Sequence, residues 1–145
     1  MAEASFTYPV FLEVPSDPSL MSAVRAVTEK ISLAAGLGSE ETEKLVLAVD
    51  EACTNVIRHA YGNRRDGRIA ITFTPGAGRL EIAIRDFGTG GDPATFHGRD
   101  FAELRPGGLG MHFIQSTVDQ MEYDRPAGGG TVLKMVKFIS GQETA

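Results

Sequence analysis

Along this chain the spacing of apolar positions changes several times, and each period predicts an element. Residues 6–14 (Phe-Thr-Tyr-Pro-Val-Phe-Leu-Glu-Val) are rich in β-formers and predict an opening strand, with Pro9 marking a sheet edge. Ser16-Asp17-Pro18 is a helix-start signal, an N-cap candidate just ahead of proline. Leu20, Val24, Val27, Ile31 and Ala34 then recur at steps of three and four. They make one face of an amphipathic helix, which Gly36-Leu37-Gly38 ends. Ser39-Glu40-Glu41-Thr42 reads as a capping box with Thr42 in place of the expected Glu or Gln. Leu45, Val49, Val56 and Ala60 carry a second helical stripe towards Tyr61-Gly62-Asn63.

Beyond that point the period shortens to two. Residues 68–74 and 80–86 both alternate, and Pro75-Gly76-Ala77-Gly78 between them predicts an antiparallel hairpin. Residues 90–106 are polar and irregular, a long loop of the kind that serves a function in a compact domain. Residues 109–118 read as a helix. Residues 121–123 and 131–139 read as strands around Pro126-Ala127-Gly128-Gly129-Gly130, and the tail after Ser140 is expected to fray. The sum is an α+β fold: a two-layer sandwich of a mixed, mostly antiparallel sheet with three helices on one face. It is expected to be a single domain over residues 1–145.

Three segments carry candidate chemistry. Glu51, Asn55 and His59 are spaced four apart and share a helical stripe, with Leu47 ahead of them. An amide oxygen suits a hard cation such as magnesium, and a carboxylate beside it can activate a hydroxyl nucleophile. Taken alone, the same spacing more often makes a solvated helix face. Asp86 ends an alternating strand and is followed by Gly88 and Gly90. Bare backbone there admits a planar ligand, and a strand-end carboxylate can accept an exocyclic amine. A plain Asp-Gly turn is the commoner origin of that pattern. Gly107, Gly108 and Gly110 open a helix whose first N–H groups lack partners, a natural phosphate cradle. No lysine follows in the P-loop arrangement, and no βαβ unit supports a dinucleotide fold.

In this order, acid-plus-amide helix, Asp-x-Gly-x-Gly and Gly-Gly-x-Gly, the motifs resemble the asparagine box and two glycine boxes of the GHKL ATP-binding superfamily. That superfamily includes gyrase, heat-shock chaperones, histidine kinases and mismatch-repair ATPases. Ala48-Val49-Asp50-Glu51-Ala52-Cys53-Thr54-Asn55-Val56-Ile57-Arg58-His59-Ala60-Tyr61 is most similar to the asparagine box of the anti-sigma factor serine kinases. Ile84-Arg85-Asp86-Phe87-Gly88-Thr89-Gly90, Gly107-Gly108-Leu109-Gly110-Met111-His112-Phe113-Ile114 and Gly130-Thr131-Val132 with Lys137 resemble that family's remaining segments.

The resemblance implies a Bergerat-type ATP-binding fold and roles for particular residues. Glu51 would be the general base on a substrate serine, and Asn55 would bind the magnesium bridging the phosphates of ATP. Asp86 would hold the adenine amine with support from Thr131, and Gly88 and Gly90 would shape the adenine pocket. Gly107, Gly108 and Gly110 would wrap the phosphates, with Met111 also among the nucleotide contacts. Residues 91–106 would form the ATP lid, and Arg25 would meet protein partners. Those partners would be an anti-sigma antagonist, phosphorylated on serine, and a sigma factor that the kinase sequesters. A homodimer is implied too, with the edge of the 6–14 strand contributing. The lid lacks the Thr-Thr-Lys-Pro-like run of well-known members, which leaves open whether Arg99 or Arg105 meets the terminal phosphate. The altered lid also keeps alive an alternative, a non-catalytic ATP-gated switch in a partner-switching pathway. The chain lacks the paired helices and phospho-accepting histidine of a histidine kinase.

Bulk properties narrow the setting. With 145 residues, 42% hydrophobic and 23% charged, the chain fits a single soluble domain with its own core. A net charge of -5, without an aromatic-plus-basic stripe, argues against a nucleic-acid partner. The single cysteine cannot form an internal disulfide, which suits a reducing cytoplasm. No stretch approaches the roughly 20 apolar residues of a membrane span, and the opening residues lack a signal-peptide pattern. His97 and His112 have no ligand-like companions, and Cys53 reads as a small core residue.

Overall fold

The computed structural model describes residues 4–88 and 109–139. Among the described residues five strands, β1 (Val10–Pro15), β2 (Arg68–Gly76), β3 (Arg79–Asp86), β4 (Gln120–Asp124) and β5 (Thr131–Phe138), form one sheet in the order β1-β2-β3-β5-β4. All four pairings are antiparallel. In β2 and β3 every second side chain is buried: Ile69, Ile71 and Phe73, then Leu80, Ile82 and Ile84, none more than 1% exposed. The alternate positions, such as Ala70, Thr72, Ala83 and Arg85, are half-buried on the other face. That pattern fixes the register, because a one-residue slip would turn the aliphatic set out of the core.

Three helices cover the aliphatic face: α1 (Met21–Ala34), α2 (Ser39–Asn55) and α3 (Leu109–Thr117). They add Val24, Leu45, Val49, Cys53 and Ile114 to the same core cluster. Each large side chain buried this way is worth roughly 1.5–3 kcal/mol relative to exposure. Lys137 on β5, 15% exposed, lies 3.6 Å from Glu41 in the first part of α2 and 3.7 Å from Asp119. It ties β5 to the helix layer.

Three expectations shift on the fold. The first strand begins only at Val10, because the residues ahead of it turn to α1: the Ser5 N–H donates to the Ala34 carbonyl (2.8 Å), and Phe6 packs on the core. The capping box does not form. Gly38 is the N-cap of α2 and Ser39 already lies in its first turn, while the Thr42 hydroxyl is buried with no hydrogen-bond partner among the described residues. Asp17 instead caps the short 3-10 turn Pro18–Leu20, accepting from the Ser19 N–H at 2.9 Å. Finally, α2 loses α geometry at Asn55 and continues as a π-turn, Val56–Ala60. Ile57 is the fully buried residue there, while Val56 and Ala60 are only partly buried. The predicted unbroken stripe therefore ends one turn early. The tail beyond Ile139 lies outside the described residues.

Candidate functional site

The last turn of α2 presents the acid and the amide. Glu51 is half-buried, and Asn55, one turn on, is 9% exposed. The Asn55 Nδ2 has no hydrogen-bond partner among the described residues. A buried amide is expensive to leave unpaired, and rotating it by half a turn presents oxygen instead of nitrogen. Such a group suits a polar ligand or a hard cation better than a core. The switch to π geometry directly after Asn55 is a common mark of functional sites. It also takes His59 off the Glu51–Asn55 line. His59 is exposed, and partial burial, then the Arg58 charge, lower its pKa.

Asp86 ends β3 on the core face at 2% exposure. Its Oδ2 accepts from the hydroxyl of Thr131, its cross-strand partner at the start of β5, and its Oδ1 accepts from the Gly88 N–H at 3.1 Å. Both donors are neutral, a threonine hydroxyl and a backbone amide. Tyr123 on β4, beyond β5, lies within reach of the Asp86 charge. Burial, then the Asp86 charge, push its phenol up to about 12.

Two glycines let the backbones close around Asp86. Gly130 has a φ of +75°, and a Cβ there would lie 2.0 Å from the Asp86 carbonyl oxygen. A Cβ on Gly88 would lie 2.5 Å from the Ala60 carbonyl oxygen. The strand end thus rests directly on the π-turn that follows Asn55.

Tyr61 completes the junction. Its hydroxyl donates to the Arg68 carbonyl (2.6 Å) and accepts from the Phe87 N–H (2.7 Å). Gly67 packs under the ring, where a Cβ would come within 2.5 Å of the ring carbons. Buried Ser16 holds the intervening loop: its hydroxyl donates to the Arg64 carbonyl (2.5 Å) and accepts from the Gly67 N–H (2.9 Å). On the sheet's other face the Phe87 ring lies against two guanidinium groups, Arg68 at 4.1 Å and Arg85 at 4.6 Å from its centroid.

Of the residues singled out in the sequence, Glu51 and Asn55 lie together on α2, and Asp86, Gly88 and Thr131 meet at one end of the sheet. Gly110 and Met111 fall in the first turn of α3, which packs against α2. Arg25 sits on α1, where its Nη1 pairs with the Asp50 carboxylate at 2.9 Å, next to Glu51 in sequence. Gly90, Gly107, Gly108, His97, Arg99, Arg105 and the whole proposed lid lie outside the described residues. Cys53 is fully buried, and burial pushes its thiol up to about 12, so it is core rather than nucleophile. Sequence reasoning missed the Tyr61 bridge, the π-turn and the Arg25–Asp50 pair. Tyr61 closes the asparagine-box motif and Gly67 follows shortly after, which was the available signal for a ring over a glycine.

A half-buried acid, an unpaired buried amide and a strand-end carboxylate braced by threonine thus gather at one end of an α+β domain. The chain belongs to the histidine kinase-like ATPase family, whose model matches residues 14–137. Among curated proteins it is 32% identical over 141 residues to the serine-protein kinase RsbW of Bacillus pumilus, covering 89% of this chain and 85% of that one. It is 31% identical over 144 residues to the RsbW of Listeria monocytogenes, covering 92% and 89%. In fold it resembles the crystal structure of the RsbU and RsbW domains of a Mycobacterium tuberculosis protein. There the TM-score is 0.66 at 17% identity, over 91% of this chain and 32% of that longer one. Among the described residues no helix is long and apolar enough to cross a membrane.

Proposed function

We propose that this protein is an ATP-dependent serine kinase of the partner-switching type. In this reading it phosphorylates a serine on an anti-sigma antagonist protein and, when the antagonist is modified, sequesters a sigma factor. The observation that carries the proposal is the pairing of Glu51 with Asn55 one turn apart, at the same end of the fold as the Thr131-braced Asp86. Similarity to serine-protein kinases over most of the chain supports it.

Each residue has a chemical task. The Asp86 carboxylate, buried and fixed by two neutral donors, accepts the adenine amine, and Thr131 keeps it in one rotamer. Gly88, which lets the strand end close on the Ala60 carbonyl, shapes the wall of the adenine pocket. Asn55, with its amide unpaired inside the fold, holds magnesium or a phosphate oxygen. Gly107, Gly108 and Gly110, with Met111, contact the phosphates at the start of α3, and Gly90 lines the adenine pocket. ATP with magnesium supplies the transferable phosphoryl group and most of the charge neutralisation. Glu51 takes the proton from the incoming serine hydroxyl. Arg25, 43% exposed and held by Asp50 beside that base, meets the partner protein.

The test is phosphoryl transfer from labelled ATP to a serine-containing antagonist, using wild type and Glu51→Ala. The expected loss in turnover is roughly 10²- to 10⁴-fold, the usual worth of a positioned base, with ATP affinity retained. Transfer unchanged by the substitution would remove Glu51 from the chemistry. ATP binding with no phosphoprotein at all would leave an ATP-gated switch in its place.

A further inference from the structure

We infer that Tyr61 is a positioning residue for the nucleotide site, tying the adenine carboxylate to the amide helix; the inference rests on the ATP-site reading above. The last rung between β2 and β3 is Ile69 opposite Asp86, so the next would bring the Phe87 N–H to the Arg68 carbonyl. Instead the Tyr61 hydroxyl stands between them. It accepts from Phe87 at 2.7 Å and donates to Arg68 at 2.6 Å. The hydroxyl replaces one direct hydrogen bond by two and parts the strands just past Asp86. Nothing polar is lost, because donor and acceptor both remain satisfied.

This wedge has consequences on both sides. Downstream, Phe87 N is the backbone atom between Asp86 and Gly88, and the Gly88 N–H is a donor to the Asp86 carboxylate at 3.1 Å. Fixing Phe87 therefore fixes the turn that orients the carboxylate. Upstream, Tyr61 leads straight back through the π-turn Val56–Ala60 to Asn55, and the Ala60 carbonyl is the atom against which Gly88 packs. The ring has no freedom to withdraw, since it lies on Gly67, whose N–H the Ser16 hydroxyl anchors at 2.9 Å. Tyr61 and the π-turn thus form a short strut between the two groups proposed to grip opposite ends of one nucleotide.

Tyr61→Phe removes only the hydroxyl. Calorimetric titration with ADP and with ATP plus magnesium is expected to show Kd raised roughly three- to tenfold, the worth of one such hydrogen bond. At saturating ATP, kcat should stay within about twofold of wild type, because a residue that sets affinity for both ground and transition states leaves turnover unchanged. Ile71→Val, a core change on β2 away from the site, controls for general loss of stability and should leave Kd unaltered. Amide exchange on the wild type is a second reading that needs no variant: the Phe87 N–H should be protected without nucleotide and slow further with it. A Tyr61→Phe protein with wild-type affinity, an equal loss in Ile71→Val, or a Phe87 amide exchanging at the free-peptide rate overturns the inference. Failure of wild type to bind nucleotide overturns the ATP-site reading itself, and is told apart because it precedes any substitution.

Discussion

Thr131 faces Asp86 across the first rung of the β5–β3 ladder and donates its hydroxyl proton to the carboxylate. A side-chain bond between directly opposed strand residues leaves the acid a single orientation. Asp86→Asn keeps the shape but exchanges an acceptor for a donor. Hydrogen bonds to charged groups are worth about 1.5–3 kcal/mol, so nucleotide affinity should fall roughly ten- to hundredfold. Thr131→Val should cost less, on the order of threefold to tenfold, since Asp86 keeps its bond from Gly88. Calorimetric titration of both variants checks the ranking, and equal losses would contradict it.

Neighbouring glycines should respond very differently to alanine. Gly129 has a φ of +94° with open space around its Cβ position, so its substitution carries backbone strain of about 1–2 kcal/mol. Gly130 adds a contact of 2.0 Å with the Asp86 carbonyl oxygen, which no L-residue tolerates. Gly130→Ala should melt well below Gly129→Ala and lose nucleotide affinity, because the rung that carries Thr131 must shift. Thermal unfolding followed by circular dichroism orders the two.

The element plan was legible because it rests on period. The aliphatic alternation of β2 and β3 and the three-four spacing of α1 set the sheet, the helix and the packed face between them. Asp86 and Gly88 could be named because a strand-end acid and glycines leave a local trace, whereas Thr131 came only through the family resemblance. What escaped was decided by tertiary packing. Ser39 has the chemistry of a cap, yet Gly38 takes that place and Thr42 turns its hydroxyl inward. The π-turn has no sequence period of its own, and Tyr61 looks like the end of a stripe until β2 and β3 come to meet it. The Arg25–Asp50 pair joins two helices, so spacing along either one is silent about it.

Alkaline pH should weaken the fold through one buried and one partly buried group. Cys53 and Tyr123 are each raised to about 12 in the folded chain, from ordinary values of 9.0 and 10.0. Their folded-state pKa values lie above the unfolded ones, so the unfolded chain releases those protons first. Stability is intact below about pH 9 and falls as pH rises towards 12. Denaturant midpoints between pH 8 and 11 read this directly, and Cys53→Ala should flatten the early part of the decline. In native protein near neutral pH the Cys53 thiol should resist alkylating reagents until the chain unfolds.

The Arg25–Asp50 pair separates folding from recognition. Its side chains are 43% and 28% exposed, so Arg25→Ala should change unfolding free energy by less than about 1 kcal/mol. Under the proposed function the same change should weaken capture of the protein partner while ATP affinity stays at the wild-type level. Pull-down and calorimetry on one preparation distinguish the two readouts.

The order of strands also has a temporal meaning. β5 is the last of the described strands, yet it sits inside the sheet, between β3 and β4, and it brings Thr131 to Asp86 from 45 residues downstream. During translation β4 emerges before it has any neighbour to pair with, and Asp86 waits without its brace. Under the proposed function, a growing chain would lack its complete adenine site until β5 has left the ribosome, so competence for ATP would follow the synthesis of that strand.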